Sequence, residues 1–288
     1  MHSAVQDMLE RYTCKTTEDY INALKEIIQE IALLGLSRSG FFEKASFYGG
    51  TALRIFYNLD RFSEDIDFSL NKEEPDFDIS PFCKYIQDEL SAYGFDAKVN
   101  KKRKRVTTTI ESAFIKAGTH IHLITIGVKK DLLSDIQLNQ KLKIKIEVDV
   151  SPPGIVESDI KYLLLPIPFH VRVFALPALF AGKVHAVLCR EWGSGRIKGR
   201  DLYDYVWYLS KNITPDFSHL EERMKQTGHI KNTAKIPLEK LKKMLFKKFN
   251  TIDYEQAKMD VLPFLKEPDK TALWAREFFK AITEERLR

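Results

Sequence analysis

Two carboxylates one residue apart, Asp65 and Asp67, follow a Gly49-Gly50-Thr51 turn by a short interval. Side chains two apart on a strand point the same way. A like-charged pair held so is costly unless positive charge sits between its members. Mg²⁺ meets that demand, taking few carboxylates and completing its shell with substrate phosphate oxygens. A small-residue turn opening a helix offers backbone N–H groups to the same phosphates. These residue types in this order suit transfer of a nucleotidyl group.

Three further sets could serve such chemistry. Two-metal sites need a third carboxylate, and Glu147 or Asp149 in Lys145-Ile146-Glu147-Val148-Asp149 could deliver it. That requires their strand to lie beside the one bearing Asp67. Lys183 falls in the largely apolar stretch Phe180-Ala181-Gly182-Lys183-Val184 and must reach solvent or an anion. Gly195 to Asp204 opens a helix with Lys198 and Arg200, which oppose the helix dipole and so suggest an anionic client. Asp201 and Asp204 fall three apart on one face of it. His120, His122, His170 and His185 show no ligand spacing with acids or cysteines, and no zinc site is expected.

The elements that must position these groups follow from periodicity. Apolar residues at helical spacing place a helix over 17–36, capped by Thr16 or Thr17. Ser46 to Tyr48 reads as a strand, Thr51 to Tyr57 as a helix, and Asp65 to Leu70 as the next strand. Pro81 to Tyr93 reads as a helix, with Phe95–Asn100 and Arg105–Phe114 as paired strands around the basic run Lys101–Arg105. Lys141 to Val150 alternates apolar and charged residues, as a half-buried strand does. Ser151-Pro152-Pro153-Gly154 breaks the pattern. After an extended stretch over 162–174, helices are expected at 176–190, 200–210, 217–227, 237–249 and 270–287. The fold class is α+β, with a core over 1–155 and a mainly helical domain over 156–288 that closes a cleft with it.

Composition narrows the class. The chain has 288 residues, 44% of them hydrophobic, with 19 Phe and 11 Tyr, which is ample for a packed core. A net charge of +5 permits a polyanionic partner without requiring one. Three scattered cysteines read as reduced thiols of a cytoplasmic protein. The N-terminus lacks a signal-peptide core. No apolar run reaches the ~20 residues of a membrane helix.

The matching text identifies a resemblance. Gly49-Gly50-Thr51-Ala52-Leu53, then Arg61-Phe62-Ser63-Glu64-Asp65-Ile66-Asp67-Phe68, then Glu147, the Lys183 helix and Lys198-Gly199-Arg200-Asp201-Leu202-Tyr203-Asp204 resemble the AbiEii-type nucleotidyltransferases. Those are toxins of type IV toxin–antitoxin and abortive-infection systems. The resemblance implies a polymerase-beta-like nucleotidyltransferase core, a mixed sheet with flanking helices, plus a helical partner domain. It implies a nucleoside triphosphate donor, Mg²⁺ (with Mn²⁺ as an alternative ion), an RNA acceptor such as tRNA and a cognate antitoxin. The expected metal ligands are Asp65, Asp67 and Glu147. Lys183 and Asp204 join them as catalytic groups, and Gly49, Gly50, Thr51, Ser63, Lys183, Lys198, Arg200 and Asp201 bind the nucleotide. Two other readings compete. A haloacid-dehalogenase-like phosphatase would use Asp65 as nucleophile with Lys183 and Asp201, but needs an apolar strand before Asp65. A non-catalytic RNA-binding module would use the basic run.

Overall fold

The computed structural model describes residues 2–102, 109–125, 128, 136–137, 139–190 and 198–288. Part of the basic run Lys101–Arg105, the start of the strand expected from Arg105, and Gly195 to Ile197 lie outside these. The chain divides into two compact units: Met1–Ala52, Ser63–Pro152 and Ser158–Val173 form the first, and Leu53–Phe62, Pro153–Glu157 and Phe174–Arg288 the second.

The first unit is built on a mixed sheet. Its elements are α1 (Ser3–Leu9), α2 (Thr17–Arg38), α3 (Phe41–Lys44), β1 (Ala45–Tyr48), the start of α4 (Gly49–Tyr57), β2 (Ile66–Leu70), α5 (Ser80–Ala92), β3 (Ala97–Lys101), β4 (Ile110–Gly118), α6 (Thr119–Thr125), β5 (Lys141–Asp149), β6 (Ser158–Leu163) and β7 (Phe169–Phe174). The strands lie in the order β3-β4-β5-β2-β1-β7-β6. β2 runs parallel to β5 and antiparallel to β1, and β1 runs parallel to β7. β3, β4 and β5 form an antiparallel meander.

Period-two alternation sorts the strands' side chains. Ile66 and Phe68 of β2, with Ile144, Ile146 and Val148 of β5, are buried on the apolar face. Phe68 sits edge-on to Phe41 at 4.8 Å between ring centroids and tilts against Phe47 at 5.3 Å. Burying a Phe of this kind contributes about 1.5–3 kcal/mol. The alternation that hides Phe68 turns Asp67 to the opposite face. Above the sheet, α2 starts with a capping box: Thr16 Oγ1 accepts from the Asp19 N–H at 3.2 Å, and the Thr16 N–H donates to the Asp19 carboxylate at 2.8 Å. α2 packs on α5 and β5.

The second unit holds α7 (Leu176–Cys189), α8 (Gly199–Ser210), α9 (Phe217–Gln226), α10 (Leu238–Phe249), α11 (Tyr254–Val261) and α12 (Arg276–Arg286). Phe180 of α7 stacks on Tyr208 of α8 with centroids 4.4 Å apart. Gly199 opens α8 directly against α11, where any Cβ would overlap the Ala257 carbonyl oxygen. Only glycine fits there.

Several elements differ from the sequence reading. α4 begins at Gly49, so the two glycines form the helix's first residues rather than a turn before it. Asp65 precedes β2 rather than opening it. The stretch 162–174 resolves into β6 and β7, which join the sheet. The helix expected over 270–287 is interrupted, because Pro268–Thr271 forms a separate 3-10 turn and α12 starts at Arg276. The helices α1, α6 and α11 were not expected. Each has eight residues or fewer, too short for periodicity to show.

Candidate active site

The first unit's polar face gathers the acids. Asp67 of β2 lies level with Tyr48 of β1 and with Glu147 of β5, and Glu147 lies level with Ser112 of β4. Tyr48, Asp67, Glu147 and Ser112 therefore form one row across four neighbouring strands. Neighbouring strands lie roughly 4.7–4.9 Å apart, so Asp67 and Glu147, level with each other, are close enough to share a ligand. Glu147 also pairs with Lys145 at 2.6 Å. Asp149 lies level with Ser69 instead, and its Oδ1 accepts from the Ser151 N–H at 3.1 Å.

The chain leaves β1 straight into α4, and Gly49 makes that possible. Its φ is +85°, in the left-handed region that side chains disfavour. The backbone there also rests on Asp67: a Cβ on Gly49 would lie 2.6 Å from Asp67 Oδ2 and 3.4 Å from its Cγ. The first turn of α4 thus abuts the carboxylate. The positive end of the helix dipole favours negative charge there, either a carboxylate or a phosphate.

Asp65 is placed by its backbone. The buried Thr51 hydroxyl donates to the Asp65 carbonyl. Gln29 of α2 donates its amide to the carbonyls of Ser63 at 3.1 Å and Glu64 at 3.0 Å. Lys25 pairs with Glu64 at 3.2 Å. One turn of α2 and the start of α4 thereby fix the loop that carries Ser63 and Asp65 into β2. That loop has no strand before Asp65, so the apolar strand a phosphatase nucleophile would need is missing.

The second unit brings Lys183, Asp201 and Asp204 together. Lys183 Nζ lies 2.6 Å from Asp201 Oδ1 and 2.9 Å from Asp204 Oδ2. Arg61 grips Asp204 with two bonds, Nε to Oδ1 at 2.6 Å and Nη2 to Oδ2 at 2.7 Å. Arg190 pairs with Asp201. Arg61 and Asp204 are almost wholly buried, at 2% and 0% exposed. Burial works to lower the Lys183 pKa, but Asp201 and Asp204 outweigh it and hold the ammonium charged above its ordinary range. Burial pushes Asp201 upward, yet Lys183 and Arg190 hold it below the usual carboxylate value. Arg200 stacks over Phe264 at 4.3 Å and lies 3.9 Å from Asp260. Lys198 contributes positive charge near Asp201.

Sequence reasoning missed three things here. Gln29 was not singled out, because nothing in its spacing on the helix over 17–36 marks it. Arg61 was part of a motif, but its partner lies 143 residues away. No ligand spacing was expected for His185, yet donor atoms of His185, Cys189 and His229 lie within 4.8 Å of one another. His185 and Cys189 stand four apart on α7, a spacing that was legible, while His229 arrives only through the fold.

A family model described as nucleotidyl transferase AbiEii toxin, type IV TA system, matches residues 31–277. The chain belongs to that family. It is a nucleotidyltransferase, and the row of acids beside the start of α4 is the AbiEii-family chain's first candidate for the chemistry. The structure is similar to MenT4, a nucleotidyltransferase toxin from Mycobacterium tuberculosis, with a TM-score of 0.52 at 16% identity over 98% of this chain and 87% of that one. It is also similar to JHP933 from Helicobacter pylori, with a TM-score of 0.49 at 18% identity over 92% of each chain. At such identity the MenT4 likeness bears on the fold, an α+β mixed sheet with flanking helices. Among curated proteins none matches this chain. No helix among the described residues is long and apolar enough to cross a membrane.

Proposed function

We propose that this AbiEii-family chain transfers a nucleotide from a nucleoside triphosphate to an RNA acceptor such as tRNA, with Mg²⁺ as cofactor, as the toxin of a cytoplasmic toxin–antitoxin pair. The observation that carries the reading is the register of Asp67 against Glu147 beside the first turn of α4. Asp65, Asp67 and Glu147 would hold the metal. The donors fit: all are hard carboxylate oxygens, and two stand side by side on parallel strands. The register favours Glu147 over Asp149 as third carboxylate, since only Glu147 is level with Asp67. The bound ion would neutralise charge on the phosphates and the developing oxyanion; Mn²⁺ could replace it.

The chain's own groups do the rest. Backbone N–H groups of Gly50 and Thr51, at the α4 N-terminus, hold the β- and γ-phosphates. The Thr51 hydroxyl, bonded to Asp65, keeps the metal loop in place instead of meeting a phosphate. Ser63 offers a hydroxyl to the nucleotide from the same loop. Glu147 accepts the proton of the attacking acceptor hydroxyl. The hydroxyl oxygen then bonds to the α-phosphorus as the bond to the β-phosphate oxygen breaks, and pyrophosphate leaves in line.

For the second unit, the proposal gives Lys183, Lys198 and Arg200 the binding of an anionic group, with Asp201 and Asp204 holding Lys183 charged. Among the described residues, buried Arg61, half-buried Lys183 and exposed Arg190 set three cations against the buried Asp201 and Asp204. That excess supports an anionic client. The test is incubation with each labelled nucleoside triphosphate and total RNA, with Mg²⁺ or with chelator. Metal-dependent label on RNA is expected from the wild type, and none from Lys183→Ala. Label on protein alone, or on nothing with any triphosphate, refutes the assignment of acceptor.

A further inference from the structure

Near the C-terminal end of α7, His185 and Cys189 project from one helical face, four residues apart. The turn after α9 carries His229 to the same place, and the three donor atoms lie within 4.8 Å of one another. Thr227 sits among them, its Oγ1 3.0 Å from His185 Nε2 and 2.8 Å from His229 Nδ1. The transfer chemistry uses none of these residues.

We infer that His185, Cys189 and His229 form a Zn²⁺ site that ties α7 to the end of α9. Two imidazoles and a thiolate are a borderline-soft donor set, which suits Zn²⁺ and not Mg²⁺. Zinc bonds of about 2.0–2.3 Å in a tetrahedron place donors roughly 3.5 Å apart. Small side-chain rotations therefore close the set around an ion. Three protein ligands leave the fourth position to water, and His229 is exposed, so the ion has a way in. Thr227 would remain as the partner that orients whichever ring nitrogen does not ligate.

Proton bookkeeping is simple. A ligating imidazole must be neutral and a ligating thiol must give up its proton, so metal binding displaces one thiol proton to solvent and forms one sulfur–zinc bond. The resulting thiolate would offset part of the positive charge that Arg223 and Arg190 set near His185 and Lys248 sets near Cys189.

The full-length chain, stripped with chelator, is titrated with Co²⁺ and then Zn²⁺. Co²⁺ is expected to give a thiolate-to-metal charge-transfer band that one equivalent of Zn²⁺ abolishes and excess Mg²⁺ does not. A carboxylate site cannot produce that band. Cys189→Ser should lose it, and His229→Ala, at an exposed position that should tolerate the change, should bind Zn²⁺ at least about tenfold more weakly. Both variants should keep wild-type nucleotidyl transfer. Absence of the band, its full persistence in Cys189→Ser, or equal Zn²⁺ affinity in His229→Ala overturns the inference.

Discussion

Replacing Gly49 by alanine tests the contact between α4 and the Asp67 carboxylate. The added Cβ would come to 2.6 Å from Asp67 Oδ2, about 0.8 Å short of ordinary contact near 3.4 Å. Either the carboxylate or the helix start must move by nearly that much. A misplacement of about 1 Å costs a reaction on the order of 100-fold, or roughly 2.7 kcal/mol of barrier. The positive φ adds about 1–2 kcal/mol of backbone strain for alanine. A domain stable by about 5–15 kcal/mol survives that strain. Gly49→Ala is thus expected to fold, melt a few degrees lower and incorporate label about 100-fold more slowly. Gly49→Asn separates the two effects, because asparagine tolerates positive φ but still carries a Cβ. It should melt nearer the wild type and be as slow as alanine. Initial rates of labelled nucleotide incorporation and circular-dichroism melts decide the matter. A Gly49→Ala chain within about threefold of wild-type rate refutes the claim that the helix start positions Asp67.

Three further predictions concern the supports. Asp204→Ala strands the buried Arg61 guanidinium without its bidentate partner, and urea denaturation should show a loss of about 3–5 kcal/mol; a loss below about 1 kcal/mol contradicts the buried pairing. Gln29→Ala removes two bonds to the Ser63 and Glu64 carbonyls, each contributing about 1 kcal/mol. It should lower kcat by at least about tenfold with an unchanged far-ultraviolet spectrum, and an unaltered kcat would show that the loop is held otherwise. His219, buried in α9 near Arg223, has its pKa pushed down to about 4. Between that value and the unfolded 6.5 the unfolded chain binds the extra proton. His219 should therefore remove up to about 3 kcal/mol of stability as pH falls through this window. Thermal melts from pH 7 to 4 should fall less steeply in His219→Leu, and parallel curves would exclude the effect.

How much of this was legible depended on how far each signal reaches along the chain. The alternation of Lys141 to Val150 announced β5, and its Glu147 proved to be the register partner of Asp67. Period-two patterning says which face a residue takes, but not which strand lies next to it. Which of Glu147 and Asp149 lies level with Asp67 therefore needed the sheet. The helices α2, α7, α8, α9 and α10 could be read because their apolar stripes run for ten residues or more. The role of Thr51 was not readable, because its hydroxyl turns inward to the Asp65 carbonyl, a contact no spacing rule encodes. Arg61 and Asp204 illustrate the same limit: each looked like a motif member, while their bond joins segments that only tertiary folding unites.

The central claim is that the carboxylates of β2 and β5 carry out nucleotidyl transfer. Its most direct test compares single-turnover incorporation of labelled nucleotide by the wild type, Asp67→Asn and Glu147→Gln under saturating Mg²⁺. Both substitutions keep side-chain size and leave the apolar face of the sheet untouched. The account predicts folded chains with no measurable transfer from Asp67→Asn and a severe loss from Glu147→Gln. Wild-type incorporation by a folded Asp67→Asn chain would contradict it.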